Sequence, residues 1–504
     1  KLPLRTTGIH EIFFEKGNVN LILVYDDFDY IKKLNFEADS WFLDGFSPSK
    51  NKSAWSLELM KQVFQNTKSN GTFSTFTSSS NVQKNLKSVG FEIFKKKGFK
   101  QKREMIYGFK PNSVNQFFYR TNNIKNQLEP VAIIGSGISG CSLAYSLRRR
   151  GINCFIIEKK KIIGDGASGN LLALQLPKLT LENSSLGTFS LRSYLYSRNL
   201  ANNLHCAPFT EGVLVFPSRE REVVKFEKIL LKNWSKNLFH KYEGDLNFND
   251  KISHLYPKAG IVDTKKFLKK LSEKIKVYND FEVKDIYEKG DKKNIINQHG
   301  ALLKAKSIIW ANGYEMAQKL KNNLIVPVSG QVTYLNENNN TKDIKMNFSY
   351  GNFFSQSYFG LHQIGATFSR ENFLPCKDND LKNINNLPNF LKKIFNFSNN
   401  NEFKSRFSIR ASTKERLPFF GSLGDLREYY LGGMGSWGFI YAPFLAEILI
   451  RKILYEPIFL EDFVLSSLDL ERRIKSKIPQ TVITKLNNFL TKTHKPMATR
   501  KSSQ

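Results

Sequence analysis

Residues 131–140 read VAIIGSGISG, four apolar residues running into glycines at Gly135, Gly137 and Gly140. The run predicts a short buried strand, and the following CSLAYSLRRRG predicts a helix. In that setting each glycine of the spacing has a physical reason. Gly135 allows the tight turn, Gly137 lets the backbone approach a pyrophosphate, and Gly140 lets helix pack closely on strand. The amides and dipole at the helix start favour the anion. A second strand, NCFIIE, ends at Glu158, 23 residues beyond Gly135, where a carboxylate can accept hydrogen bonds from both ribose hydroxyls of an adenosine. A 2′-phosphate would be repelled there, which disfavours NADP even though Lys159 and Lys160 follow. Glycine-rich turns also occur without ligands, but strand, helix, second strand and terminal acid together argue for a dinucleotide.

The segments that follow separate FAD from NAD. GDGASGN at residues 164–170 adds a second small-residue loop, containing Ser168 and Asn170, soon after the acid. KSIIWANGYE places Ala311-Asn312-Gly313 after a later strand. GGMGSWGFIYAPFLAEIL puts Gly435 and Gly438 at a helix start near the C-terminus. A long interval between the first βαβ unit and a second glycine-rich helix start suits a flavin enzyme with an inserted substrate domain.

The motif begins about a quarter of the way along a chain of 504 residues, so a separate domain is expected before it. Residues 19–25 and 38–44 read as short buried strands, with a short helix between them, and a helix follows over NKSAWSLELMKQVFQNT. SSNVQKNLKSVGFEIFKKKGF supplies a further helix and strand. This alternation predicts an α/β unit with a substantially parallel sheet. The expected division is 1–110 for this unit, 111–128 for an asparagine-rich linker, 129–475 for the flavin-binding part with its α+β insertion, and 476–504 for a basic tail.

No apolar run reaches eighteen residues, which argues against a transmembrane helix. Four scattered cysteines and seven dispersed histidines show no metal-ligand spacing; they suit reduced thiols in a cytoplasmic protein and no metal site. A formal charge of +31 points to a polyanion such as nucleic acid, or to a composition in which lysine and asparagine are raised everywhere. The cluster KKKGFKQKR, residues 95–103, concentrates six cations in nine residues.

Residues 129–455 resemble the FAD-dependent amine oxidoreductases related to D-amino-acid and glycine oxidases, through VAIIGSGISG, Glu158, GDGASGN, WANG, SIRASTKERLPFFGSL and GGMGSWGFIYAPFLAEIL. DSWFLDGFSPSK at 39–50, together with GTFSTFTSSSNVQKNLKSVGFEIFKKKGFKQKREMIYGF, resembles the methyltransferase half of the bifunctional tRNA 5-methylaminomethyl-2-thiouridine biosynthesis proteins. That family fuses the two halves in this order. The resemblance implies oxidation of a carboxymethylaminomethyl group on the wobble uridine in the tRNA anticodon arm. Methyl transfer from S-adenosylmethionine to the exposed amine would follow.

The same resemblance assigns Asp27 to the S-adenosylmethionine site and Asp44 to methyl transfer. It also expects a glycine-rich loop well upstream of Asp44, yet only 43 residues precede that acid and none supplies the loop. The methyltransferase site is therefore expected to be incomplete and the chain to be a fragment, or the half to be a structural or tRNA-binding remnant. Arg410 and Arg416 are candidates for the substrate carboxylate, because a guanidinium pairs with it in a bidentate way. Gln331, in PVSGQV, follows a strand expected beside the flavin, where ordinary strand packing would use it equally well. Lys50, Lys102 and Arg103 are candidates for tRNA phosphates. A monomer is expected. Two other functions remain open: a free amino-acid or glycine-type oxidase with 1–110 as scaffold, and a non-catalytic tRNA-binding flavoprotein.

Overall fold

The computed structural model describes residues 6–15, 19–34, 36–98, 103–112, 125–181, 184–207, 212–217, 220–231, 234–244, 253–320, 324–395, 403–424 and 427–475. Most of the expected linker, all of the expected tail and Lys102 lie outside these residues.

The first half contains a four-stranded sheet, in spatial order Ala38–Phe42, Thr67–Thr75, Glu104–Phe109, Glu92–Lys97. The helix Leu57–Gln65, capped by Ser56, which accepts from the Leu59 amide, carries the chain between the first two strands. A helical crossover is what a parallel pair requires, and this pair is parallel. Strands Glu92–Lys97 and Glu104–Phe109 are joined by too short a connection for a crossover, and they pair antiparallel, as do Glu104–Phe109 and Thr67–Thr75. The sheet is thus mixed, with one parallel pair, rather than substantially parallel. Trp55, Met60, Val63, Phe73, Val82, Leu86 and Ile106 form its core.

Residues 19–25 depart further from expectation. Val19–Tyr25 pairs antiparallel with Gly8–Phe14, from Gly8 opposite Tyr25 to Phe14 opposite Val19, in a hairpin outside the four-stranded sheet. The strand is largely exposed rather than buried. Its partner turns Ile9, His10 and Glu11 inward against the long helix Ser185–Asn203 of the second half, whose Asn199 donates to the Glu11 carbonyl at 2.8 Å.

In the second half a six-stranded sheet runs Lys276–Tyr278, Cys154–Ile157, Val131–Ile134, Ser307–Trp310, Glu428–Gly432, Phe419–Ser422. The first five strands are parallel and the last is antiparallel. Helices Ile138–Arg149 and Gly438–Leu454 pack together beside it, with Ile133, Cys141, Leu147, Tyr441 and Leu445 in the shared core. An eight-stranded sheet forms the insertion, and its longest ladder pairs Ile325–Asn336 with Lys404–Thr413. Among the described residues no helix is long and apolar enough to cross a membrane. No cluster of metal-ligating side chains occurs there. All four cysteines are free.

Candidate active site

Between the six-stranded and the eight-stranded sheets of the second half lies a cavity of about 1060 Å³. Its floor is the turn after Val131–Ile134. Gly135 has φ +106°, and a Cβ there would sit 2.6 Å from the Ala311 carbonyl oxygen. A Cβ on Gly140 would run into the Gly135 carbonyl. Gly137 differs: its Cβ would meet only the Ser168 hydroxyl, at 3.3 Å, so this glycine faces open space. One glycine makes the turn, one makes the packing, and one leaves room for a ligand.

At one end of the cavity Glu158 is already held. Ser136 donates to its Oε2 from the backbone at 2.9 Å and from Oγ at 2.5 Å, and the Lys160 amide donates to Oε1 at 2.9 Å. Lys159 pairs with Glu315, and Lys160 with Asp165 at 3.2 Å. Both lysines beside the acid are thus engaged with carboxylates, which weakens any case for a 2′-phosphate. Ser168 accepts from the Ile138 amide at 2.9 Å and so holds the GDGASGN loop to the helix start. Asn170 lines the cavity and approaches Arg406 Nη1 at 3.5 Å. Gly435 has φ +57°, and its amide donates to the Ala411 carbonyl at 2.7 Å. A Cβ on Gly438 would lie 3.2 Å from Ile138 Cγ2, so this glycine lets the two helix starts meet.

The opposite end is built by the insertion. Arg410 donates to Ser436 Oγ and to the Thr367 carbonyl, each at 2.9 Å. Burial holds its guanidinium below the usual arginine range, and no carboxylate lies within ion-pair distance among the described residues. A side chain on Gly330 would collide with it, so the missing side chain there is what admits the arginine. Arg410 is the one charged residue that the eight-stranded sheet and the 366–368 turn contribute to the described lining. The acids and lysines gather at the Glu158 end.

Two candidates fall elsewhere. Arg416 sits exposed in the turn after Thr413, at φ +60°, outside the cavity lining. Gln331 points away from the cavity: its side chain donates to the Cys376 carbonyl at 2.9 Å and accepts from the Cys376 amide at 3.1 Å. It has the strand-packing role, while its neighbours Gly330 and Val332 face the cavity. Arg406 was missed by the sequence reading. It clamps the 164–170 loop through the Gly166 carbonyl at 2.8 Å and Asp165 at 3.3 Å. The available signal was strand alternation, which puts residues 406 and 410 on one face.

In the first half Asp44 is exposed at the end of Ala38–Phe42, between the exposed rings of Phe42 and Phe46. Asp27 caps the short helix Phe28–Lys33, accepting from the Asp29 amide at 3.3 Å. Neither lines the cavity. Lys50 and Arg103 are exposed on this half. Its positive-φ glycines, Gly8 and Gly90, abut Arg192 and Phe64 rather than open space. Neither of these two glycines therefore repeats the open turn that Gly137 makes in the second half.

The cavity in the second half does fit FAD, in its size, its open Gly137 and its acid at the adenosine end. The FAD-dependent oxidoreductase family profile matches residues 130–452, and that of an S-adenosyl-L-methionine-dependent methyltransferase matches residues 1–111. A tRNA 5-methylaminomethyl-2-thiouridine biosynthesis bifunctional protein MnmC from Campylobacter jejuni is 33% identical over 84% of this chain and 67% of its own length. The chain belongs to the MnmC family. The MnmC of Aliivibrio fischeri is 26% identical over 92% of this chain and 77% of its own length. With that of Marinomonas sp. the match is 34%, confined to 44% of this chain and about a third (35%) of the relative. Among solved structures, glycine oxidase from Geobacillus kaustophilus superposes with TM-score 0.56 at 18% identity, over 68% of this chain and 98% of its own. Fructosamine oxidase from Aspergillus fumigatus gives 0.58 at 14%, over 70% and 92%. The MnmC domain order, methyltransferase first and FAD-dependent oxidoreductase second, holds here, and the second domain has the fold of these amine oxidases.

Proposed function

We propose that this chain oxidises the carboxymethylaminomethyl group of the tRNA wobble uridine, in the cytoplasm where tRNA resides, and releases the two-carbon fragment as glyoxylate. The observation that carries this is Arg410: a half-buried guanidinium with no carboxylate partner among the described residues, at the end of the cavity away from Glu158. A carboxylate there would replace lost solvation with a bidentate ion pair. Bound FAD supplies a hydride acceptor. The chain's own Arg410 holds the substrate carboxylate and so places the N–CH2 bond within the cavity. From the neutral amine the carbon gives up a hydride, which leaves a protonated imine; water adds at that carbon and the C–N bond breaks, giving glyoxylate and a primary amine on the uridine that keeps the proton. No carboxylate or histidine among the described lining residues stands at the Arg410 end to take the proton, so the amine reacts in its deprotonated form.

We assign methyl transfer to Asp44 in the first half, where neither described positive-φ glycine opens onto space for its cofactor. The polypeptide of residues 1–504 is expected to accumulate the aminomethyl nucleoside even with S-adenosylmethionine present. Nucleoside analysis after incubation with carboxymethylaminomethyl-tRNA tests both steps. Appearance of the methylaminomethyl nucleoside would overturn the second. Anaerobic bleaching of the flavin by glycine but not by modified tRNA would replace the first with a free amino-acid oxidase.

A further inference from the structure

We propose that Phe368 is the platform on which the target uracil stacks at the cavity mouth, with Arg370 beside it for the flanking phosphate. This rests on the reading that the substrate is a modified wobble uridine. The carboxylate of that substituent and C5 of the ring are separated by four bonds, about 5 Å when extended. A uridine whose carboxylate reaches Arg410 therefore has its ring close to the same arginine, outside the space needed for the reacting carbon. The backbone there is the 366–369 turn: Arg410 donates to the Thr367 carbonyl at 2.9 Å, and Phe368 is the next residue.

Phe368 lines the cavity yet remains 60% exposed, an apolar ring left facing water at the mouth of a site. The guanidinium carbon of Arg370 lies 5.8 Å from the ring centroid, close to the ring without burying it. The turn is preorganised. Ser329 and Ser369 exchange backbone hydrogen bonds at 2.9 and 3.2 Å, and Ser369 Oγ accepts from the Glu371 and Asn372 amides at 3.2 and 3.0 Å. A ring held ready on a fixed turn forms a stack without first ordering a loop. An exposed aromatic with a neighbouring arginine has the chemistry that recognises a splayed-out base.

The test uses the full chain with bound flavin and a 17-nucleotide anticodon stem-loop carrying carboxymethylaminomethyluridine. Phe368→Ala is expected to raise KM roughly 5- to 150-fold, the span that follows from loss of one base–aromatic stack. The change should fall in KM more than in the saturated rate of flavin reduction. Phe368→Tyr and Phe368→Trp are expected to restore KM, and the new indole of the tryptophan variant to be quenched on binding. An abasic wobble position should bind wild type and Phe368→Ala alike. Unchanged KM in Phe368→Ala, while wild type is reduced by the stem-loop, overturns the stacking role alone. Loss of flavin from Phe368→Ala overturns it too, since the ring would then be packing on the cofactor. Failure of the stem-loop to reduce wild type overturns the substrate reading and this inference with it.

Discussion

Arg410 and Arg192 are both withdrawn from water, in opposite electrostatic company. Arg192, on the Ser185–Asn203 helix, faces Glu461 at 2.8 Å and the Tyr30 hydroxyl at 2.6 Å. Tyr30 reaches it from the first half of the chain. A short distance away Arg451 pairs with Glu11 of the hairpin and with Glu447 at 2.9 Å, while Arg149 approaches Glu447 at 3.1 Å. Against the desolvation of burial, the neighbouring carboxylate holds Arg192 above the usual arginine range. Arg410 has only burial acting on it and is shifted the other way. The paired arginines close a seam between the two halves, and Arg410, with no carboxylate within ion-pair distance among the described residues, is the one proposed to take an anion from outside.

Breaking the seam should produce the largest effect. Glu461→Leu leaves Arg192 buried without its carboxylate, and removing one member of such a pair costs about 3–5 kcal/mol. Denaturant unfolding should show that loss, and Arg192→Met added to Glu461→Leu should recover much of it. Burial and, beyond the attraction of Arg451, the adjacent Glu447 hold the Glu11 carboxyl above its usual range. Against desolvation, Arg192 holds Glu461 below it. The sign for Glu461 follows: its contribution is present above the unfolded carboxylate pKa and is lost as pH falls through the lower folded one. Acid should therefore loosen the Arg192–Glu461 pair, Glu11 having the opposite sign, and the acid sensitivity should diminish in the Arg192→Met, Glu461→Leu double variant.

Arg410→Met sharpens the contrast, because it should leave stability unchanged or slightly improved. Loss of hydrogen bonds to a charged group is worth about 1.5–3 kcal/mol, so kcat/KM for modified tRNA should fall by roughly 10- to 150-fold. A matching loss of unfolding free energy would make Arg410 another structural arginine. The glycines divide in the same way. Gly137→Asp should abolish flavin retention by placing a carboxylate against the pyrophosphate, while Gly137→Ala, with only the Ser168 hydroxyl nearby, should retain it. Stoichiometric FAD in Gly137→Asp, read from the visible spectrum, would move the cofactor elsewhere.

What could be read in advance follows from how local each feature is. Gly135, Gly137, Gly140 and Glu158 act within one strand–helix–strand unit, and their spacing carries the geometry. The hairpin is not local in that sense. VNLILVY has the composition of a buried strand, but its neighbour is Gly8–Phe14 and its outer face stays exposed. Nothing in those seven residues distinguishes that arrangement from a place in a larger sheet. Gln331 failed by phase: in PVSGQV either face can be the inner one until Gly330 is seen making room for Arg410. Arg410 and Arg416 look equivalent as residue types, and only the turn after Thr413 separates them.

The smallest expected effect concerns the basic strand of the first half. Lys95 pairs with Glu104 at 2.9 Å, whereas Lys96 and Lys97 have no carboxylate within ion-pair distance among the described residues. If the distinction between paired and unpaired cations extends to the surface, only the latter are available for phosphates. Each phosphate contact contributes about 0.7–0.9 to the slope of log K against log salt. Lys96→Ala with Lys97→Ala should lower the tRNA-binding slope by about 1.4–1.8 if each cation neutralises one phosphate. Lys95→Ala, which also frees Glu104, should weaken binding at low salt through the acid it exposes and change the slope least. Salt titration of tRNA binding to these variants decides the matter. Equal slopes in all of them would mean that this strand is basic by composition, and that tRNA is held elsewhere on the molecule.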